Sequence, residues 1–108
     1  MKNANIFVDV DMTLVDANGK LFPGALEGLT QLKKKGCHLF LWSTHGADYA
    51  LKVAKLLKVK SLFEGFAAKP DIIIDDMPET VLHPFVFDVH GEGSWPEMAD
   101  KIISKHVD

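Results

Sequence analysis

The chain has 108 residues, 47% of them hydrophobic, and a formal net charge of −3 with the histidines neutral. That length suits one small domain over residues 1–108 with an ordinary apolar core, and the acidic balance with dispersed lysines disfavours nucleic acid as a partner, because phosphate-backbone binding draws on clustered Lys and Arg. Cys37, the only cysteine, excludes an internal disulfide and a multi-cysteine zinc site, and with neither a signal-like N-terminus nor an apolar run of bilayer length the expected location is cytoplasmic.

In chain order, Ile6-Phe7-Val8 reads as a buried strand that gives out into Asp9-Val10-Asp11-Met12-Thr13. Carboxylates at such an exit must be solvated, paired or bound to a cation. Val15 to Phe22, containing Asp16-Ala17-Asn18-Gly19, has the composition of a turn or flap beside them. Pro23-Gly24 then opens a helix with Leu26, Leu29 and Leu32 on its stripe, and the lysines at 33–35 with Gly36 suit its stop near Lys35.

The next strand, Leu39-Phe40-Leu41-Trp42, runs straight into Ser43-Thr44. A second helical pattern, Tyr49, Ala50, Val53, Ala54 and Leu57, returns the chain toward Leu62-Phe63, read as a short edge strand. Lys69 and Pro70 precede Ile72-Ile73-Ile74, which ends on Asp75-Asp76; Met77-Pro78-Glu79 begins a turn before a fifth strand, Phe85-Val86-Phe87. Ser94 and Glu97 form a capping-box pattern with Pro96 in the first turn, and Met98, Ala99, Ile102 and Ile103 make the apolar face of a final helix.

Strands alternating with helices predict an α/β fold, a Rossmann-like open parallel sheet with helices on both faces and no cap. In such sheets ligands bind outside the carboxyl ends of the strands, so the polar groups at those ends are expected to converge. Rival motifs fail on particular residues. An EF-hand loop starting at Asp9 would have Leu14 where glycine is needed and Lys20 where its last glutamate is needed. Gly91-Glu92-Gly93 resembles part of a dinucleotide loop, but Pro96 stands at the third glycine. His45, His83 and His90 lack helical ligand spacing and read as turn or surface residues, with His45, next to the hydroxyl pair, the best candidate to touch a substrate.

Asp9-x-Asp11-x-Thr13, then Ser43, then Lys69, then Asp75-Asp76, resemble the ordered motifs of the haloacid dehalogenase-like (HAD) hydrolase superfamily. The resemblance runs from Ile6 to about Pro78, and its specificity lies in the order of the motifs, since each alone is common by chance. It implies a Mg2+-dependent phosphate monoester hydrolase acting through an aspartyl-phosphate intermediate. Asp9 would be the nucleophile. Asp11 would protonate the leaving oxygen and then activate water, which favours a phosphate ester over a haloalkanoate. Ser43 would hydrogen-bond a phosphoryl oxygen, with Thr44 as the alternative, and Lys69 would offset the carboxylates.

The resemblance gives Mg2+ the Asp9 carboxylate, the Asp11 backbone carbonyl and the acids Asp75 and Asp76, with Asp76 favoured as the direct ligand. Thr13 is expected to shape the turn behind Asp9. The intervals from Thr13 to Ser43 and from Ser43 to Lys69 are each mostly used by one helix, so no cap domain fits and the site is expected to be open. Its substrate would be a phosphorylated small molecule or macromolecule, with a large substrate or a second copy of the chain, in a homo-oligomer, covering it. The same intermediate also serves a phosphotransferase, and a metal- and phosphate-binding module without turnover is the non-enzymatic alternative.

Overall fold

The computed structural model describes residues 2–83, 85–88, 90–91 and 93–107. It is a small α/β protein with parallel strands and helices, in two compact units, Met1–Lys69 and Pro70–Asp108. Among the described residues no helix is long and apolar enough to cross a membrane.

In the first unit, β1 (Asn5–Asp9), β2 (His38–Ser43) and β3 (Gly65–Ala68) form a parallel sheet in the order β1-β2-β3. Helix α1 (Ala25–Lys34) connects the first pair and α2 (Ala47–Leu56) the second. Successive side chains on a strand point to opposite faces. Leu39 and Leu41 on β2 therefore share one face, and there they join Leu29 of α1 and Ala50 and Ala54 of α2 in one buried cluster. Burying each leucine is worth about 1.5–3 kcal/mol, so this cluster is the unit's main source of stability.

The other face of β1 and β2 is aromatic. Phe7 stacks on Phe40 with ring centroids 5.0 Å apart and tilts against Trp42 at 4.8 Å. Gly65 on β3 opposes Phe40, and a Cβ there would stand 3.0 Å from Phe40 Cδ1. The absent side chain leaves space for the ring.

Three expectations change. Leu62-Phe63 is not a strand: a short 3-10 turn occupies Lys60–Leu62, Phe63 turns into the core, and the third strand starts at Gly65. On α1 only Leu29 is buried, while Leu26 and Leu32 are 51% and 38% exposed. The strands also divide between two sheets. In the second unit β4 (Ile73–Asp75) and β5 (Val86–Asp88) pair in parallel, and α3 (Trp95–His106) follows.

Helix α3 starts as its residues require. Ser94 Oγ accepts the Glu97 backbone N–H at 3.2 Å and lies 3.2 Å from Glu97 Oε1, with Pro96 in the first turn. Of its apolar face Met98 is buried and Ile103 is 55% exposed.

Candidate active site

Parallel register brings the C-terminal ends of β1 and β2 side by side, with Asp9 opposite Trp42 and Ser43 opposite Ala68. Just after β1 the chain turns back sharply. Met12 takes a left-handed conformation, φ 61°, that a non-glycine residue seldom adopts, and its N–H donates to the Val15 carbonyl at 2.8 Å. The Leu14 and Val15 amides donate to the Val10 carbonyl at 3.0 and 3.1 Å. Val10, Leu14 and Val15 are thereby buried, while Asp11, Met12 and Thr13 stay exposed. Backbone strain of this kind gathers where structure over-determines a functional turn.

Lys69 follows β3, and its N–H donates to the Ser43 carbonyl at 3.0 Å. Its side chain crosses the central strand, with Nζ 5.9 Å from the centroid of the Trp42 ring, to reach Asp9 Oδ1 at 3.1 Å. The ammonium thus lies within cation–π range of an indole while pairing with a carboxylate. Asp9 Oδ2 accepts from the Thr13 hydroxyl at 3.2 Å, so Thr13 touches the carboxylate as well as shaping the turn. With the two charged side chains about one-third exposed, the pair is accessible to a ligand.

Asp11 is held from α2. The Tyr49 hydroxyl donates to Asp11 Oδ1 at 2.8 Å, and His45 Nε2 lies 3.8 Å from Oδ2. The His45 ring meets the edge of Tyr49 with centroids 5.1 Å apart. Donation to a carboxylate, desolvation and the Asp11 charge all raise the Tyr49 pKa above its ordinary 10.0. Tyr49 thus stays protonated as a donor across the physiological range. Sequence reasoning placed Tyr49 only on an apolar helix stripe; its hydroxyl, four positions after His45, was the available signal.

Ser43 is 1% exposed, shares the buried face of Leu39 and Leu41, and its Oγ accepts the His45 N–H at 3.0 Å. Neighbouring Thr44 is exposed. Ser43 holds the turn that presents Thr44 and His45.

Asp75 and Asp76 lie in the second unit. Asp75 ends β4 and its Oδ1 accepts the Met77 N–H at 2.8 Å, while Asp76 is exposed. Asp88, opposite Asp75 in the register, was not singled out from sequence; its Oδ1 accepts the His90 N–H at 2.9 Å. Both strand-end acids brace turns. Among the described residues no group of three or more His, Cys, Asp or Glu side chains gathers to hold a metal ion. In kind, the oxygen donors of Asp9 and Asp11 suit a hard cation such as Mg2+, which often takes only one or two protein carboxylates beside phosphate oxygens and water.

The first unit therefore gathers Asp9, Lys69 and Thr13 around one carboxylate, and Asp11, Tyr49 and His45 around another on the same loop. An accessible carboxylate beside a cation and an acid fixed by a donor are the parts needed for nucleophilic attack and proton transfer. No protein-family model, curated protein or solved structure matches the chain.

Proposed function

We propose that the chain is a Mg2+-dependent phosphate monoester hydrolase that works through an aspartyl-phosphate on Asp9. The observation that carries this reading is the Lys69–Asp9 contact of 3.1 Å across the central strand, beside a second carboxylate on the same loop. A Rossmann-like arrangement with helices on both faces belongs to the same proposal, as does the open, capless site.

In the first step an Asp9 carboxylate oxygen attacks phosphorus and the bond to the ester oxygen breaks. The departing oxygen keeps the electron pair and takes a proton from Asp11, leaving a free alcohol and phosphorylated Asp9. In the second step water attacks phosphorus, gives its proton to Asp11, and inorganic phosphate leaves while the Asp9 carboxylate is restored. Lys69 offsets the negative charge gathered on Asp9 and the phosphoryl oxygens. Thr44, the alternative that the sequence left open and exposed here, is the hydroxyl that this reading assigns to a phosphoryl oxygen. Tyr49 keeps Asp11 in place through both proton transfers.

Mg2+ would be held by the Asp9 carboxylate and the Asp11 main-chain carbonyl, two of the ligands that the resemblance implies beside Asp75 and Asp76, and would supply charge neutralisation on the phosphoryl group. Incubation of the purified protein with an aryl phosphate and Mg2+ is expected to release alcohol and inorganic phosphate in equal amounts. Asp9→Asn should lower that rate by about a thousandfold or more, and EDTA should abolish it until Mg2+ is restored. Turnover that survives Asp9→Asn or a chelator contradicts the proposal, and alcohol without matching inorganic phosphate would redirect it to phosphoryl transfer.

A further inference from the structure

A groove of about 270 Å³ separates the 15–21 turn from α2, bordered by Asp11 and Tyr49 and floored by Val15, Val53, Leu56 and Leu57. Leu56 is 71% exposed, an apolar side chain left open on the helix surface that lines the groove. The facing wall is built rigidly. Asp16 Oδ1 accepts the Asn18 and Lys20 amides at 2.9 and 3.0 Å, and the Asp16 N–H donates to the Lys20 carbonyl at 2.8 Å. The groove thus exists before any ligand arrives.

We propose that this groove binds the alcohol portion of the phosphate ester and selects a compact, uncharged aryl or branched alkyl group. The inference rests on the phosphohydrolase reading, because Asp11, which delivers the proton to the leaving oxygen, stands on the groove's border. Size limits the occupant. Space on the order of 150 Å³ accommodates a benzene ring, so one ring fits in the groove.

Charge limits it further. The lining includes the carboxylates of Asp11 and Asp16 and, among the described residues, no cation. A second phosphate or a carboxylate on the leaving group would meet repulsion from these carboxylates. The floor of Val15, Val53, Leu56 and Leu57 favours an apolar group in contact with it over one whose hydroxyls would be desolvated there.

The test compares benzylphosphonate with methylphosphonate, whose P–C bonds resist transfer, by calorimetric titration in Mg2+ with the wild-type chain and with Leu56→Asp. Because Leu56 is mostly exposed, the fold should tolerate the change, which circular dichroism checks. Benzylphosphonate is expected to bind the wild type about tenfold more tightly than methylphosphonate, with the ratio falling toward one in Leu56→Asp. Binding of both with equal affinity, or a ratio untouched by the substitution, overturns the groove assignment and leaves the hydrolase reading standing. If neither phosphonate binds the wild type, the hydrolase reading fails and takes the groove assignment with it.

Discussion

Asp9 has both carboxylate oxygens engaged, one by Lys69 and the other by Thr13, while Asp11 has one oxygen held by Tyr49. Two acids on one short loop thus face different surroundings, which is what separate nucleophile and proton-donor roles require. Asp11→Asn should slow turnover most for esters of weakly acidic alcohols, whose leaving oxygen needs a proton; equal slowing across alcohols of different acidity would deny Asp11 that role. The Tyr49 contact gives a second prediction. Its folded pKa is raised above 10.0, so the native state holds its proton where the unfolded chain has lost it. The contact's stabilisation is complete below that value and is lost as pH climbs through the raised one. Since Tyr49 is the only tyrosine, its ultraviolet titration in EDTA should show a single midpoint above 10.0, and a midpoint at or below it would contradict the hydrogen bond.

At the scale of elements, the ends of α1 and α2 share one backbone pattern. The Gly36 amide donates to Lys33 and the Cys37 amide to Leu32; the Lys58 amide donates to Lys55 and the Val59 amide to Ala54. Both motifs need a left-handed residue, and φ is 89° at Gly36 but 59° at Lys58, where a side chain strains it. Lys58→Gly should therefore stabilise the protein by about 1 kcal/mol, read as a higher urea midpoint with an unchanged slope; no shift would contradict the strain. The same elements show what a sequence discloses. Gly36 and the Ser94–Glu97 cap were legible because capping is a local matter of side-chain and backbone geometry. Strand β3 was not, since Gly65, Ala67 and Ala68 lack the bulk that marks strands and the reason for Gly65 is the distant Phe40 ring. Ser43 lay in phase with Leu39 and Leu41, so its burial was readable from alternation, although the expectation there rested on its place at a strand end. Tyr49 was concealed by the apolar stripe it shares.

For the molecule as a whole, the continuous stretch from Asp9 to Lys69 supplies the candidate nucleophile, the candidate acid and the offsetting cation, all at or just after the C-terminal ends of parallel strands. That much follows from a parallel sheet, where every strand exits on the same side and its polar residues collect there. The contact partners of Asp9 depend on side chains crossing the sheet, and the period-two pattern of a strand carries no trace of how far a lysine reaches. The central claim is that Asp9 carries the phosphoryl group. Asp11→Asn, mixed with an aryl phosphate of acidic leaving group and radiolabelled phosphoryl, should lose the alcohol readily yet hydrolyse the intermediate slowly, so that acid quenching traps label on the protein. The account predicts alkali-labile label on the peptide containing Asp9 and none in the Asp9→Asn, Asp11→Asn double variant. Label on another residue, or alcohol release with no protein-bound label at any time, would contradict it.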